Sequence, residues 1–139
     1  MMIWTWTISG LLGLLGLVHV YWLCGGTRGV AAAIPSQDTT PLFRPGKMAT
    51  GAVAVGLLLA SVFVLELGKR EDALWIPERL HVYGGWLLVL LFLLRAIGDG
   101  KFMGLFKKQH GTLFAKWDTN LFTPLCLFIG LSILVIMLV

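Results

Sequence analysis

An all-α integral membrane protein, a bundle of four spanning helices, is the fold this sequence predicts. Three observations predict it. Hydrophobic residues fill 58% of 139 positions and charged residues 13%, against about 25% charged in an ordinary soluble domain. The apolar residues gather in four long blocks. The basic residues gather between particular blocks. This composition excludes an ordinary cytosolic enzyme and a disordered tail. It also tells against a nucleic-acid partner, although the net charge is +4 and the pI near 9.4.

The blocks cover residues 3–24, 47–68, 80–97 and 123–139, within a single domain spanning 1–139. Each has about the 20 residues that a spanning helix needs. None alternates polar and apolar residues as a membrane barrel strand does, and a bilayer forces backbone groups to pair internally, which makes helices the default. The first block has no positive leading region, and its apolar run exceeds the roughly 7–15 residues of a secretory leader, so it reads as a span. Gly25-Gly26 end it and Gly98 ends the third block, as glycine commonly does. Pro77 suits the first turn of an extended third helix. Thr123-Pro124 reads as a cap followed by proline in the first turn of the fourth. That block has no polar tail, so the chain is expected to end in the bilayer or at its edge.

Charge sets the orientation. The first and third loops, with their flanks, carry Arg28, Arg44, Lys47, Arg95, Lys101, Lys107, Lys108 and Lys116. The other side carries Lys69, Arg70 and Arg79, offset by Glu66, Glu71, Asp72 and Glu78. The positive-inside rule puts the first and third loops in the cytoplasm and both termini outside, in a multi-pass protein of the cell (inner) membrane. The net charge is then a matter of topology. Lys101 to Lys116 is too sparse and glycine-broken for a nucleic-acid surface. Phe102, Met103, Leu105, Phe106, Leu113 and Phe114 interleave with the lysines of the third loop, so both long loops are expected to lie partly on the membrane surface. They would touch anionic lipid there or cover a site.

The sequence offers little chemistry. Cys24 and Cys126 form no Cys-x-x-Cys pair, and both read as packing thiols without a disulfide. His19, His81 and His110 are scattered, no helix presents two ligands at three- or four-residue spacing, and neither a metal nor a cofactor is expected. The His-Val-Tyr shared by His19–Tyr21 and His81–Tyr83 falls at opposite ends of its helices and is not a repeat. Glu66 is the acidic residue nearest a span, at its edge. A small multidrug antiporter wants its carboxylate in mid-membrane.

The remaining candidates collect at the inner face. His19, Tyr21 and Trp22 end the first helix, Arg95 and Asp99 end the third, and Trp117 and Asp118 precede the fourth. Arg95 and Asp99, four apart, share a face if the helix persists. Taken singly, the aromatic residues suit an interfacial belt and Arg95 can snorkel to the headgroups. Two resist that account. Asp118 is not needed as a cap if Thr123 serves, and it can pair with Lys116, Arg95 or His19. His19 lies about a turn inside its helix, where an ionisable group wants a named partner; Asp118 is the first choice and Arg95 the second.

At these residues the chain resembles a known family. His19-x-Tyr21-Trp22, Gly25-Gly26 and Pro35, then Arg95 to Asp99, then Phe114-Ala115-x-Trp117-Asp118-Thr119 and Pro124 to Leu127 are similar to the domain of unknown function 3995 family. The resemblance covers nearly the whole chain. It implies a small bacterial membrane protein of four helices, and it implies no activity.

Three functions fit the residues. The first is binding or transport of a small anionic or aromatic ligand or lipid, with Arg95 supplying charge, Tyr21 and Trp22 a stacking surface, and His19 and Asp118 directional hydrogen bonds. The second is an enzyme acting on a lipid or isoprenoid, with His19 as acid or base oriented by Asp118. The third is a structural or regulatory partner, or a homo-oligomer, associating through Gly10, Gly13, Gly16, Gly84 and Gly85. The same glycines serve equally to pack one monomer. Membrane lipids are the partners common to all three.

Overall fold

In the computed structural model, which describes residues 2–69 and 76–139, every long apolar block is a helix. Arg70, Glu71 and Asp72, which enter the charge asymmetry, lie outside the described residues. Helix α1 is Met2–Leu23, the short α2 is Val30–Ala33, α3 is Lys47–Leu67 and α4 is Glu78–Ile97. Then α5, Leu113–Trp117, continues through a π-helical turn, Asp118–Phe122, into α6, Thr123–Leu138. Among the described residues, four helical runs are long and apolar enough to cross a membrane, and the protein is a multi-pass membrane protein. At 1.5 Å per residue, 20 residues cover about 30 Å, the thickness of a hydrocarbon core. Between α2 and α3 a two-residue antiparallel ribbon pairs Ser36 with Pro41 and Gln37 with Thr40.

Small residues decide which helices meet. α1 lies along α3, and α4 along α6, while the seams between these two pairs are slighter. On the first pair, Gly13 faces Ser61 and Gly16 faces Leu58. A hydrogen bond joins the Ser9 and Ser61 hydroxyls at 3.0 Å, and the Ser61 hydroxyl also lies 2.8 Å from the Ser9 carbonyl. On the second pair, Gly85 faces Met137 and Gly130 faces Leu93. Removing a Cβ lets backbones approach closely, the usual way of gaining van der Waals contact where lipid is as apolar as leucine. Ile8, Leu12, Val64, Val89, Ile129 and Ile133 fill the centre. Of the glycines named for self-association, Gly13, Gly16, Gly84 and Gly85 lie against side chains of this chain, and Gly10 alone faces open space.

The fourth helical run departs from expectation at its start. Thr123 is not a cap. The helix begins ten residues earlier at Leu113, and Thr112 caps it by accepting the Ala115 N–H at 3.0 Å. The run is 26 residues long, Leu113–Leu138. Pro124 has no N–H to give and would break a regular ladder. Here the ladder widens ahead of it, with the Thr123 N–H bonding the carbonyl of Asp118, five residues back. Such π turns occur preferentially at functional positions. α2 packs against α5, so the two long loops meet at one end of the bundle, the basic end.

Candidate functional site at the basic end

The site begins where α4 stops. Gly98 has φ of 80°, which a residue with a Cβ adopts only under strain, and it turns the chain off the helix axis. One oxygen of Asp99 then accepts the N–H groups of Lys101 (2.9 Å), Phe102 (2.7 Å) and Met103 (3.1 Å). Slight burial works against the Asp99 charge, but these three donors outweigh it and hold the carboxyl below its ordinary range. The loop folds back until Gly104 rests on Gly98 without a side chain between them, and the Leu105 N–H bonds the Ala96 carbonyl at 2.8 Å. This return delivers Gly104 and Lys107 to the π turn.

Asp118 stands first in that turn and is wholly buried. Its Oδ1 accepts from Arg95 Nη2 at 2.8 Å. Its Oδ2 accepts from the Gly104 N–H at 2.8 Å and from Lys107 Nζ at 3.0 Å. Lys107 also donates to the Gly104 carbonyl at 3.2 Å, and its side chain is only 4% exposed. One carboxylate thus ties α4, the returning loop and the fourth helical run together. The balance is two cations to one anion, a net charge of +1. Surplus donors remain, since an ammonium has three N–H groups and Lys107 uses two, while Arg95 Nη1 is buried without a partner among the described residues. The Thr123 hydroxyl, buried one helical turn along, has no partner either.

A cavity of about 240 Å³ opens beside this cluster. Lys107, His110, Thr119 and Thr123 are its polar walls, and Leu105, Pro124 and Leu127 its apolar ones. A second, wider cleft shares His110 and Thr119 and reaches Lys116 and Asn120.

Of the seven residues singled out in the sequence, the structure bonds Arg95 to Asp118 and keeps His19, Tyr21 and Trp22 together in a separate local group. His19 is bonded to neither Arg95 nor Asp118. Its Nδ1 donates to the carbonyl of Leu15 at 2.8 Å, and its ring meets Trp22 edge-on at 5.0 Å. The expected His19–Asp118 partnership is therefore corrected: a helical side chain leans back toward the preceding turn, and the carbonyl there satisfies the imidazole. Tyr21 and Trp22 brace the following turn. The Tyr21 ring covers Gly26 and its hydroxyl accepts the Arg28 N–H at 3.3 Å, while Trp22 Nε1 donates to the Arg28 carbonyl at 2.8 Å. Asp99 does not share a face with Arg95, because α4 ends at Ile97 and Gly98 redirects the chain. Of the partners open to Asp118, Arg95 is the one it takes; Lys116 is exposed, and Lys107 stands beside the carboxylate as well. Trp117 is exposed. Cys24 and Cys126 are free thiols.

Lys107 and Thr123 are the residues the sequence did not mark. Lys107 hides as one of two adjacent lysines in a basic loop. The only signals for it are the glycines that let the loop double back and a buried carboxylate short of donors. Thr123 was assigned to a cap that Thr112 provides.

The family model described as Protein of unknown function (DUF3995) matches residues 12–133, and the chain belongs to that family. No curated protein and no solved structure matches it.

Proposed function

We propose, from a family whose description assigns no activity, that this membrane protein binds a small anionic ligand at its basic end. The observation that carries the reading is the surplus at Asp118. Two buried or half-buried cations share one carboxylate, and Arg95 Nη1 has no partner. An unpaired buried donor costs about 1–3 kcal/mol, more when it is charged, so an oxyanion in the neighbouring cavity gains the excess charge and the third N–H of Lys107, which lines it. The neighbouring cavity supplies the place, with Lys107, His110 and two threonines on its walls. The charge asymmetry of the loops supports a cytoplasmic position for this end.

Aromatic recognition by Tyr21 and Trp22 is not part of this reading, since both are engaged with the Gly26–Arg28 turn. Acid–base catalysis by His19 and Asp118 is not part of it either. The test is a thermal titration of the detergent-solubilised chain. Inorganic phosphate or phosphatidylglycerol is expected to raise the unfolding midpoint beyond chloride at equal ionic strength, following the logarithmic dependence of a ligand that binds only the folded state. His110→Ala is expected to reduce that rise. A midpoint indifferent to both phosphate and phosphatidylglycerol sinks the proposal.

A further inference from the structure

We infer that the ligand is an anionic amphiphile, a phosphate-bearing headgroup on an apolar chain, lying in a groove that grades from cationic to aliphatic along one stripe of the fourth helical run. This rests on the anion-binding reading and deepens it. Lys116, Thr119, Thr123 and Leu127 follow one another at three- or four-residue spacing and so line a single face, and all four border the two adjoining clefts. From Lys116 to Leu127 the stripe is about 16 Å long at 1.5 Å per residue. Its chemistry changes in order: an ammonium, two hydroxyls of which the Thr123 one is buried and unpartnered, then Pro124 and Leu127.

Lys107 and His110 add polar groups to the lining and Leu105 an apolar one. A bare phosphate would use only the polar half. An alkyl chain would cover the half that ends at Leu127, a turn further into the apolar run. The approach is apolar too, because Leu105 and Leu113, which border the clefts, are each more than half exposed. Apolar residues exposed among lysines lie favourably at the headgroup level of a bilayer. A ligand already in the membrane would reach the groove without crossing water.

The shared chemistry of lipid headgroup and free phosphate is the oxyanion, and the experiment separates the two sources. The full-length chain in nanodiscs of mixed phosphatidylglycerol and phosphatidylcholine is examined by native mass spectrometry, with inorganic phosphate and glycerophosphate as soluble competitors. Retained phosphatidylglycerol is expected to dominate the adducts, and the soluble anions are expected to need about a hundredfold more concentration to displace it, because the burial of the chain methylenes is lost with the tail. Thr123→Val, which removes no existing bond, is expected to lower the preference for phosphatidylglycerol. Leu127→Gln is expected to erode the advantage of lipid over glycerophosphate by about tenfold. Equal displacement by inorganic phosphate, with Leu127→Gln silent, would overturn the amphiphile and leave the anion site standing. Adducts that ignore headgroup charge in wild type and Thr123→Val alike would bring down both.

Discussion

Two halves of the basic end use similar residues to opposite effect. At the close of α1, His19, Tyr21 and Trp22 satisfy themselves within a few residues, through the Leu15 carbonyl and the Gly25–Gly29 turn. At the close of α4, Arg95 reaches 23 residues along the chain to Asp118, and Lys107 reaches 11. The first half holds no net buried charge. The second holds an excess of it. Local satisfaction consumes polar groups and leaves a structural turn, whereas long-range satisfaction by unequal numbers leaves donors over. The chemistry of this end therefore belongs to the α4 half, although the sequence makes the His-x-Tyr-Trp half more conspicuous.

The sharpest way to break the comparison is to remove its centre. Asp118→Ala leaves Arg95 and Lys107 facing one another without their counter-ion and frees the Gly104 N–H. Losing one side of a buried ion pair costs about 3–5 kcal/mol, and the thermal midpoint in detergent should fall accordingly. His19→Ala, which removes a side chain bonded only to its own helix, should cost much less. Equal losses would show that the two halves are not different in kind.

Next comes the turn that delivers Lys107. Gly104 has φ of 89° and abuts Gly98, so a Cβ there would meet the Ile97 carbonyl. Gly104→Ala is expected to cost at least about 1–3 kcal/mol for the backbone alone, and to weaken phosphate or phosphatidylglycerol binding with it. In the other half, Trp22→Phe gives up one partly exposed hydrogen bond, worth about 1 kcal/mol or less, and should leave anion binding untouched. Chemical denaturation together with the lipid-adduct ratio measures both variants on one scale.

The contrast also explains what the sequence could and could not say. The four spans were legible because hydrophobic blocks of about 20 residues have one solution in a bilayer. Arg95 and Asp118 were legible as ionisable groups that could not easily be dismissed. Their third partner was not, because Lys107 sits in a loop whose path depends on three positive-φ glycines, Gly98, Gly100 and Gly104, and on Asp99, and no periodicity reports a path of that kind. The start of the last helix was misplaced for a related reason. Thr123-Pro124 is a good local cap signal, but Thr112 is one too, and tertiary anchoring of Asp118 favours the longer helix with a π turn absorbing Pro124. His19 was misassigned because a backbone carbonyl, present in every turn of every helix, competes with any partner that sequence spacing proposes.

The smallest expected effect is on Asp99, and it distinguishes a local anchor from the buried one. Asp99 is exposed, and three backbone N–H groups hold its carboxyl below the ordinary value of about 3.9. A carboxyl whose folded value is depressed stabilises the fold at every pH above its unfolded value and loses that contribution as pH falls through the folded one. The Lys101–Met103 turn should thus hold unchanged from neutral pH down to about 5 and loosen only in stronger acid, visible as movement of the three amide resonances in micelles. Asp99→Asn keeps an acceptor but no charge, and should abolish that acid transition while leaving the native turn recognisable. Because Asp99 touches neither Arg95 nor the cavity, and the asparagine variant keeps the turn that leads to Lys107, that variant should not change the lipid preference measured at neutral pH. A parallel loss of lipid preference in Asp99→Asn would mean that the turn and the ion-pair cluster act as one unit, and that the boundary between local and long-range satisfaction runs elsewhere in the α4 half.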